Sequence, residues 1–276
     1  MTLRFDNHTS EKILLENRIG QGDPLSMALY QYYNTDILDI PSAPQESAGA
    51  YIDDAILMVS AKTFEEAHTQ LTEMMTRPGG MVEWSERHNS PIEYNKLMLI
   101  DFLHPEVKKP RTPLFLPETT VEPSQNAKYL GIVLDQNLNW GPQLAHVRGK
   151  GLKWAMQIKR LTRPTWGITP KGARKLYVSI VLPQIMYGID IWCTPIHGKN
   201  AKGSRKGLVN FIKKLTTIQR ARMIEVTGGF RMTPTDTLDA HAALFPMELQ
   251  VQKACFNSIT CMSTLPAQHP LHKLVK

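Results

Sequence analysis

The amino-acid sequence predicts an α+β fold, with antiparallel strands and helices in residues 1–140 and helices alone in residues 141–276. The first observation is a change of apolar spacing near Trp140, from short runs bounded by turn residues to stripes with helical periodicity. The second is a change of charge. Residues 1–140 hold 11 Lys and Arg against 20 Asp and Glu, whereas residues 141–231 hold 18 against 2. The 276 residues, 42% of them hydrophobic, suffice for one large or two small cores.

The first part is predicted to begin with a strand or hairpin before residue 20. Asp23 and Pro24 suit a helix start, because Asp caps helices and Pro fits the first turn. Thr63 and Glu66 have the spacing of a capping box, which opens a second helix. The pattern then predicts a helix at 25–38, a hairpin at 50–60, helices at 63–77 and 81–88, a strand at 97–102, a proline-rich hairpin at 105–123 and a strand at 129–134.

Apolar stripes predict the helices of the second part. A first helix starts at Gly141. A second follows Pro170, with an apolar face spaced at i, i+3, i+4, i+7 and i+8: Ala173, Leu176, Tyr177, Ile180 and Val181. Pro183 is expected to kink or end it. Residues 198–207 form a basic linker, and further helices are predicted at 208–226, 235–244 and 248–262.

Composition excludes several classes of protein. The sequence has no run of 18 apolar residues, so no membrane span is expected. The N-terminal residues lack the apolar core of a signal peptide, so secretion is not expected. Cys193, Cys255 and Cys261 are too few for a disulfide framework and lack metal-ligand spacing. These features predict an intracellular protein of the cytoplasm or the nucleus.

Two adjacent carboxylates, Asp53 and Asp54, lie between apolar runs, a pattern that predicts strand, tight turn and strand. Carboxylates held at the tip of a rigid hairpin suit Mg²⁺, which takes one or two protein carboxylates together with substrate phosphates; Mn²⁺ is the alternative ion. A solvated Asp-Asp turn is the other interpretation of such a pair taken alone.

Four motifs in this order resemble the reverse transcriptases of non-LTR retrotransposons, most closely those of fungal elements. They are Gln-Gly-Asp-Pro-Leu-Ser at 21–26, Tyr-Ile-Asp-Asp at 51–54, Asn-Lys at 95–96 and Tyr-Leu-Gly at 129–131. The resemblance implies an RNA-directed DNA polymerase, with part of the polymerase palm in residues 1–140 and a helical thumb and post-thumb region in residues 141–276. It implies an RNA template, a DNA primer, deoxynucleoside triphosphates and two-metal nucleotidyl transfer.

The resemblance also implies roles for single residues. Asp53 and Asp54 match the catalytic, metal-binding carboxylates, with Asp53 as the principal ligand. Lys96 matches a lysine proposed to protonate the leaving pyrophosphate or stabilise its charge, although a plain surface lysine is nearly as well supported. Gln21 and Gly22 match the place where the incoming nucleotide meets the template base, and Gly lets backbone approach a ligand closely.

Tyr51 is expected to pack beneath the hairpin, and nucleotide binding is its second interpretation.

The family also carries a metal-binding Asp on an earlier palm strand, whereas only 20 residues precede Gln21 here and Asp6 lies too close to that turn. We therefore expect the C-terminal part of a reverse transcriptase, inactive alone, that lacks an N-terminal polymerase part. A nuclease domain follows in some relatives.

The basic block at 141–231 is the electrostatic footprint expected of a protein that binds a polyanion. The alternative is a solvated helical surface, but such surfaces usually mix both signs of charge. Trp154 and Trp166 are interleaved with these cations, and we expect them in the core rather than stacked on bases. The candidate nucleic-acid-binding residues are Lys153, Lys159, Arg160, Arg163, Lys171, Arg174 and Lys175.

Two other functions compete with a polymerase. The first is a nucleic-acid-binding remnant without catalysis, whose binding would not change on substitution Asp53→Asn. The second is an unrelated Mg²⁺-dependent phosphohydrolase. That activity would need further carboxylates near Asp53, and the candidates Asp101 and Asp135 have no recognisable motif around them.

Overall fold

The computed structural model describes residues 2, 4–12, 24–102, 112–161, 167–199, 205–269 and 271–272. The chain divides into two compact units, Met1–Gln125 and Asn126–Lys276. The fold is mixed α and β, and the strands of the described residues form antiparallel pairs. The functional division predicted near residue 140 stays a prediction. None of the helices in these ranges combines the length and hydropathy needed to cross a bilayer.

The first unit is built from short elements. Its strands and helices are β1 (Arg4–Phe5), β2 (His8–Thr9), α1 (Pro24–Tyr33), β3 (Glu46–Tyr51), β4 (Asp54–Val59), α2 (Phe64–Thr76), α3 (Met81–Arg87), β5 (Leu114–Phe115) and β6 (Thr120–Val121). Short 3-10 helices cover Thr35–Asp39 and Tyr94–Lys96. The predicted cap of α2 is confirmed, because the Thr63 hydroxyl accepts the N–H of Glu66 at 3.2 Å.

Three predictions for the first unit need correction. The hairpin expected at 50–60 begins earlier, because β3 starts at Glu46. The helix expected at 25–38 is α-helical only to Tyr33 and continues as the 3-10 turn. The strand expected at 97–102 is wrong, since this segment makes a single isolated bridge between Leu99 and Pro123. Proline has no N–H to extend a ladder beyond that bridge. The predictions for residues 13–23 and 103–111 lie outside the described residues.

Packing against helices fixes the β3–β4 hairpin. One core cluster contains Ile37, Ile40, Met74 and Trp84, all less than 5% exposed. The hairpin contributes Ala48, Leu57 and Val59, from both strands, to the edge of that cluster. Full burial of a large apolar side chain such as Ile37, Ile40 or Met74 stabilises by about 1.5–3 kcal/mol. The core therefore supports the strands on either side of the Asp53–Asp54 turn.

The second unit is mainly helical. The prediction of helices alone in residues 141–276 is wrong at two short antiparallel strands, His197–Lys199 and Arg205–Lys206, which flank the expected basic linker. Its elements are β7 (Asn126–Tyr129), β8 (Ile132–Asp135), α4 (Gly141–Leu161), α5 (Pro170–Leu176), α6 (Leu182–Met186), α7 (Ile189–Trp192), β9 (His197–Lys199), β10 (Arg205–Lys206), α8 (Val209–Thr227), α9 (Thr235–His241) and α10 (Met247–Ser263). Most predicted helices are found within a few residues. α7 was missed, and it begins after Gly188, whose φ of 59° is left-handed.

The strand predicted at 129–134 is wrong and is replaced by a hairpin. Its two strands pair with Tyr129 opposite Ile132, so Leu130 and Gly131 form the turn. Both turn residues have positive φ, 46° and 82°, which glycine accepts readily. Pro183 does not end its helix, because helical residues continue through it to Met186. The residues before it, Tyr177–Val181, form a π-helical turn, which accommodates a proline that cannot donate to the preceding turn.

The core of the second unit combines apolar packing with a buried polar network. Trp154 packs against this core, as predicted, whereas Trp166 lies outside the described residues. Gln219 is fully buried; its amide donates to Asp239 at 3.0 Å and its carbonyl accepts the Tyr177 hydroxyl at 3.2 Å. Burial raises the pKa of Tyr177 and of Asp239. The network thus ties α8 and α9 to the π-helical turn.

Candidate active site and nucleic-acid surface

A strained two-residue turn carries the adjacent carboxylates. β3 and β4 pair from Glu46 opposite Val59 to Tyr51 opposite Asp54, which leaves Ile52 and Asp53 as the loop. Ile52 has φ 55° and Asp53 does not have a positive φ, the pattern of a type II′ turn. Glycine usually occupies that first position, and a β-branched side chain there is strained by about 1–3 kcal/mol. The surrounding structure must therefore hold this turn in place.

The two carboxylates of the turn are presented to solvent. Asp53 and Asp54 are exposed, and neither carboxylate forms a side-chain hydrogen bond or ion pair with another described residue. Tyr51 is 46% exposed, so its ring is not fully packed under the hairpin. The carboxylate oxygens of Asp53 and Asp54 are therefore accessible to an added ligand.

Asn34 anchors the strained turn from beneath. This residue follows α1, is only 3% exposed and donates its side-chain N–H to the carbonyl oxygen of Ile52 at 2.7 Å. Its own carbonyl oxygen Oδ1 has no hydrogen-bond partner among the described residues. A buried amide used for one bond across 18 residues indicates that the bond fixes the peptide between Ile52 and Asp53. Asn34 is thus a positioning residue for Asp53.

Substitution Asn34→Ala should lower the free energy of unfolding by about 0.5–1.5 kcal/mol, because the partly buried Ile52 carbonyl loses the hydrogen bond that Asn34 donates. Urea unfolding of the purified chain measures the change. Gln31→Ala is the matched control, since Gln31 is exposed one turn earlier on α1 and should have little effect. Equal stability of the two variants would show that the Asn34 bond does not hold the turn.

Lys96 lies within the electrostatic reach of Asp53. Its ammonium group forms an ion pair with Glu93 at 2.6 Å, and both side chains are exposed. The hydrogen bond to Glu93 raises the pKa of Lys96, and the field of Asp53 adds to the increase. A raised pKa makes the Lys96 ammonium group a weaker acid. Stabilisation of negative charge is therefore a better-supported role for Lys96 than proton donation.

A divalent ion fits part of this arrangement. Two exposed carboxylates on adjacent residues are the hard oxygen ligands that Mg²⁺ prefers. In the described ranges, however, no group of three His, Cys, Asp or Glu side chains is placed to hold a metal ion. Gln21 and Gly22 lie outside the described residues. The hairpin therefore supplies two ligands, and a full two-metal site needs at least one more carboxylate.

Asp101 and Asp135 each have structural partners within their own unit. Asp101 is buried and pairs with His68 at 2.9 Å. Asp135 accepts the backbone N–H groups of Asn139 at 3.0 Å and Trp140 at 2.8 Å. Both carboxylates stabilise local structure, which removes the support for a separate phosphohydrolase site.

The predicted cations divide into exposed and internally bonded side chains. Lys153 and Arg160 of α4, and Lys171 and Lys175 of α5, are exposed, as is Lys159. Arg174 is half-buried and donates to the carbonyls at the end of α9, to Ala242 at 2.5 Å and Ala243 at 2.8 Å. Arg163 lies outside the described residues. The exposed lysines are therefore better placed than Arg174 to contact phosphates.

Several known proteins are similar in sequence. The probable RNA-directed DNA polymerase from transposon BS of Drosophila melanogaster is 28% identical over 196 residues, which are 69% of this chain and 21% of that protein. A Pol polyprotein from type-1 retrotransposable element R1 of Nasonia vitripennis is 22% identical over 79% of the chain and 62% of its own length. The RNA-directed DNA polymerase from mobile element jockey of Drosophila melanogaster is 24% identical over 63% of the chain and 19% of its own length.

The chain spans less than two thirds of each of these three relatives. No protein-family model and no solved structure matches the chain significantly. These relatives come from insects, and the fungal type of element stays a prediction. Over about half to 79% of its length, the chain is a sequence relative of the RNA-directed DNA polymerases of non-LTR retrotransposons.

Proposed function

We propose that this chain carries part of the active site and a nucleic-acid-binding surface of a retrotransposon RNA-directed DNA polymerase. The active-site part is the β3–β4 hairpin with Asp53 and Asp54, which we call the carboxylate hairpin. The observation that carries the proposal is the strained, anchored turn that presents Asp53 and Asp54 to solvent. Strain that the surrounding structure maintains is typical of functional sites. In this proposal the substrates are an RNA template, a DNA primer and deoxynucleoside triphosphates, residues 1–140 are part of a palm, and residues 141–276 are a thumb and post-thumb region.

The residues of the first unit take separate roles. Asp53 and Asp54 hold the divalent ions, with Asn34 fixing the peptide before Asp53. When bound, such ions activate the primer hydroxyl and neutralise charge on the reacting phosphate. Lys96, kept protonated by Glu93, stabilises the charge of the leaving pyrophosphate.

Nucleic-acid binding without catalysis is the second candidate. It is favoured by the lack of a third metal-ligating side chain near the hairpin among the described residues. In either case the isolated chain should extend no primer, because the described residues supply only two of the carboxylates that a two-metal site needs. Templated, Mg²⁺-dependent extension by the purified chain, lost on Asp53→Asn, would contradict this expectation and exclude the binding-only candidate.

A Mn²⁺ titration, followed by the loss of the free-ion electron paramagnetic resonance signal, tests the proposed metal site directly. The wild-type chain should bind Mn²⁺, and Asp53→Asn should weaken that binding by about tenfold or more, since it removes a principal ligand. Asp39→Asn is the matched control, because Asp39 is also exposed and lies in the 3-10 helix after α1. Binding that is equally strong in both variants would refute a metal site at the hairpin.

A further inference from the structure

The turn that follows α8 presents two large apolar side chains to solvent. Phe230 is 87% exposed and Met232 is 89% exposed, and Arg231 between them is exposed as well. An N–H to carbonyl bond from Thr233 to Phe230, 3.0 Å long, closes the turn. Exposure of neighbouring Phe and Met side chains costs free energy that burial would recover. We call residues Phe230–Thr233 the apolar turn.

The apolar turn is held rigidly by a single arginine. Arg220 of α8 donates to the carbonyl of Arg231 at 2.7 Å and to that of Thr233 at 2.7 Å, on either side of Met232. Gly229, just before the turn, packs so closely on Leu238 that an added Cβ would lie 2.8 Å from it. The exposed side chains therefore project from a fixed backbone, so little backbone entropy is lost when they bind a ligand.

The basic end of α4 lies at the same end of the second unit as the apolar turn. Three contacts show that α4 and α8 run in parallel. Gly151 lies against Ile218, Arg222 donates to the carbonyl of Ala155, and Lys159 interacts electrostatically with Glu225. The end of α8 therefore coincides with the end of α4, where Arg160 is exposed beside Lys159.

From these observations, we propose that the apolar turn binds single-stranded nucleic acid, with a base stacked on Phe230 and phosphates held by Arg231 and Arg160. An aromatic face among cations suits an unpaired base and its backbone. The sequence block that ends at this turn, residues 141–231, holds 18 Lys and Arg against 2 Asp and Glu, which fits a polyanion better than an apolar protein partner. A duplex keeps its bases stacked and offers no free face to Phe230. The inference rests on the proposed function and assigns an unpaired strand to this part of it.

Fluorescence anisotropy with a short RNA, single-stranded or annealed to its complement, tests the inference on the purified chain. Phe230→Ala should weaken single-strand binding by about 5- to 100-fold and duplex binding by less than about twofold. Phe230→Tyr should retain single-strand binding. Phe256→Ala is the control, since Phe256 on α10 is 69% exposed and should not matter.

An abasic strand separates stacking from other effects. Phe230→Ala and wild type should bind it equally, because no base is present to stack. An unchanged single-strand affinity in Phe230→Ala, or an equal loss on the duplex or abasic strand, would overturn the inference. If the exposed lysines of α4 and α5 prove necessary for binding and Phe230 does not, only this inference fails. A wild-type chain that binds no nucleic acid would also refute the nucleic-acid-binding surface of the proposed function.

Discussion

Reversing three exposed lysines in the second unit, Lys153→Glu, Lys171→Glu and Lys175→Glu together, should reduce affinity for nucleic acid by about a hundredfold or more at low salt. Each side chain is exposed on α4 or α5 and is free to approach a phosphate. Phosphate contacts release counterions from the nucleic acid, so they supply most of the sequence-independent affinity. Reversal both removes the contact and adds repulsion between like charges.

The salt dependence distinguishes contact from general charge. Losing three phosphate contacts should flatten the slope of log affinity against log salt by about 2 to 3. The matched control reverses Lys62, Lys128 and Lys253, which are also exposed but lie on other elements. Both triple variants change the net charge equally. If the control loses as much affinity as the test variant, net charge rather than a surface on α4 and α5 explains binding.

Arg174 shows why sequence alone could not separate these cations. In the sequence it stands between Lys171 and Lys175, with nothing to mark it as different. In the structure its guanidinium binds carbonyls 68 and 69 residues away, at the end of α9. A guanidinium group can donate hydrogen bonds to several carbonyl groups at once, so some arginines of a basic block bind the protein's own backbone and not a ligand. Exposure, which depends on the tertiary fold, decides which cations remain for phosphates.

The carboxylate hairpin was predictable because its signals are local. Apolar runs on both sides of Asp53 and Asp54 predicted two strands, and the register confirms the hairpin, although its first strand begins at Glu46 and its two loop residues are Ile52 and Asp53. The capped start of α2 was local for the same reason. Asn34 could not be found in this way, because nothing near it in the sequence indicates a bond to Ile52. A polar residue just after a helix was the only available signal.

Misjudged elements arose where a short apolar run allowed two structures. Residues 129–134 have the composition of one strand, but Gly131 permits the positive φ at which the chain reverses. Residues 97–102 also have the composition of a strand, yet Pro123 opposite them cannot continue a ladder. Strand propensity indicates only that a segment can fit into a sheet. Whether a partner strand lies beside it depends on residues far away in the sequence.

Substitution Glu46→Gln should lower the free energy of unfolding by about 3 kcal/mol, because it breaks a buried ion pair at the base of the carboxylate hairpin. Glu46 is 7% exposed, and its two oxygens accept from the Arg77 guanidinium at 3.0 and 2.7 Å. The Ser42 backbone N–H donates to the same carboxylate at 2.8 Å. Arg77 also donates to the carbonyl of Ile40, so one guanidinium joins β3, the end of α2 and the 3-10 helix.

The same pair predicts how acid affects the first unit. The hydrogen bond from Arg77 lowers the pKa of Glu46 from 4.5 to about 2, against the opposing effect of burial. Because the folded state favours the carboxylate, the contribution of Glu46 is complete above pH 4.5 and is lost as the pH falls towards 2.

Urea unfolding across this pH range should therefore show a wild-type stability that declines with acid and a Glu46→Gln stability that declines less. Glu86→Gln is the matched control, since Glu86 is exposed on α3 and should leave the acid profile unchanged. The two strands that hold Asp53 and Asp54 start and end beside Glu46, so loss of this pair loosens the end of the hairpin opposite the turn. An acid profile of Glu46→Gln that parallels wild type would show that the pair with Arg77 contributes nothing to the stability of this unit.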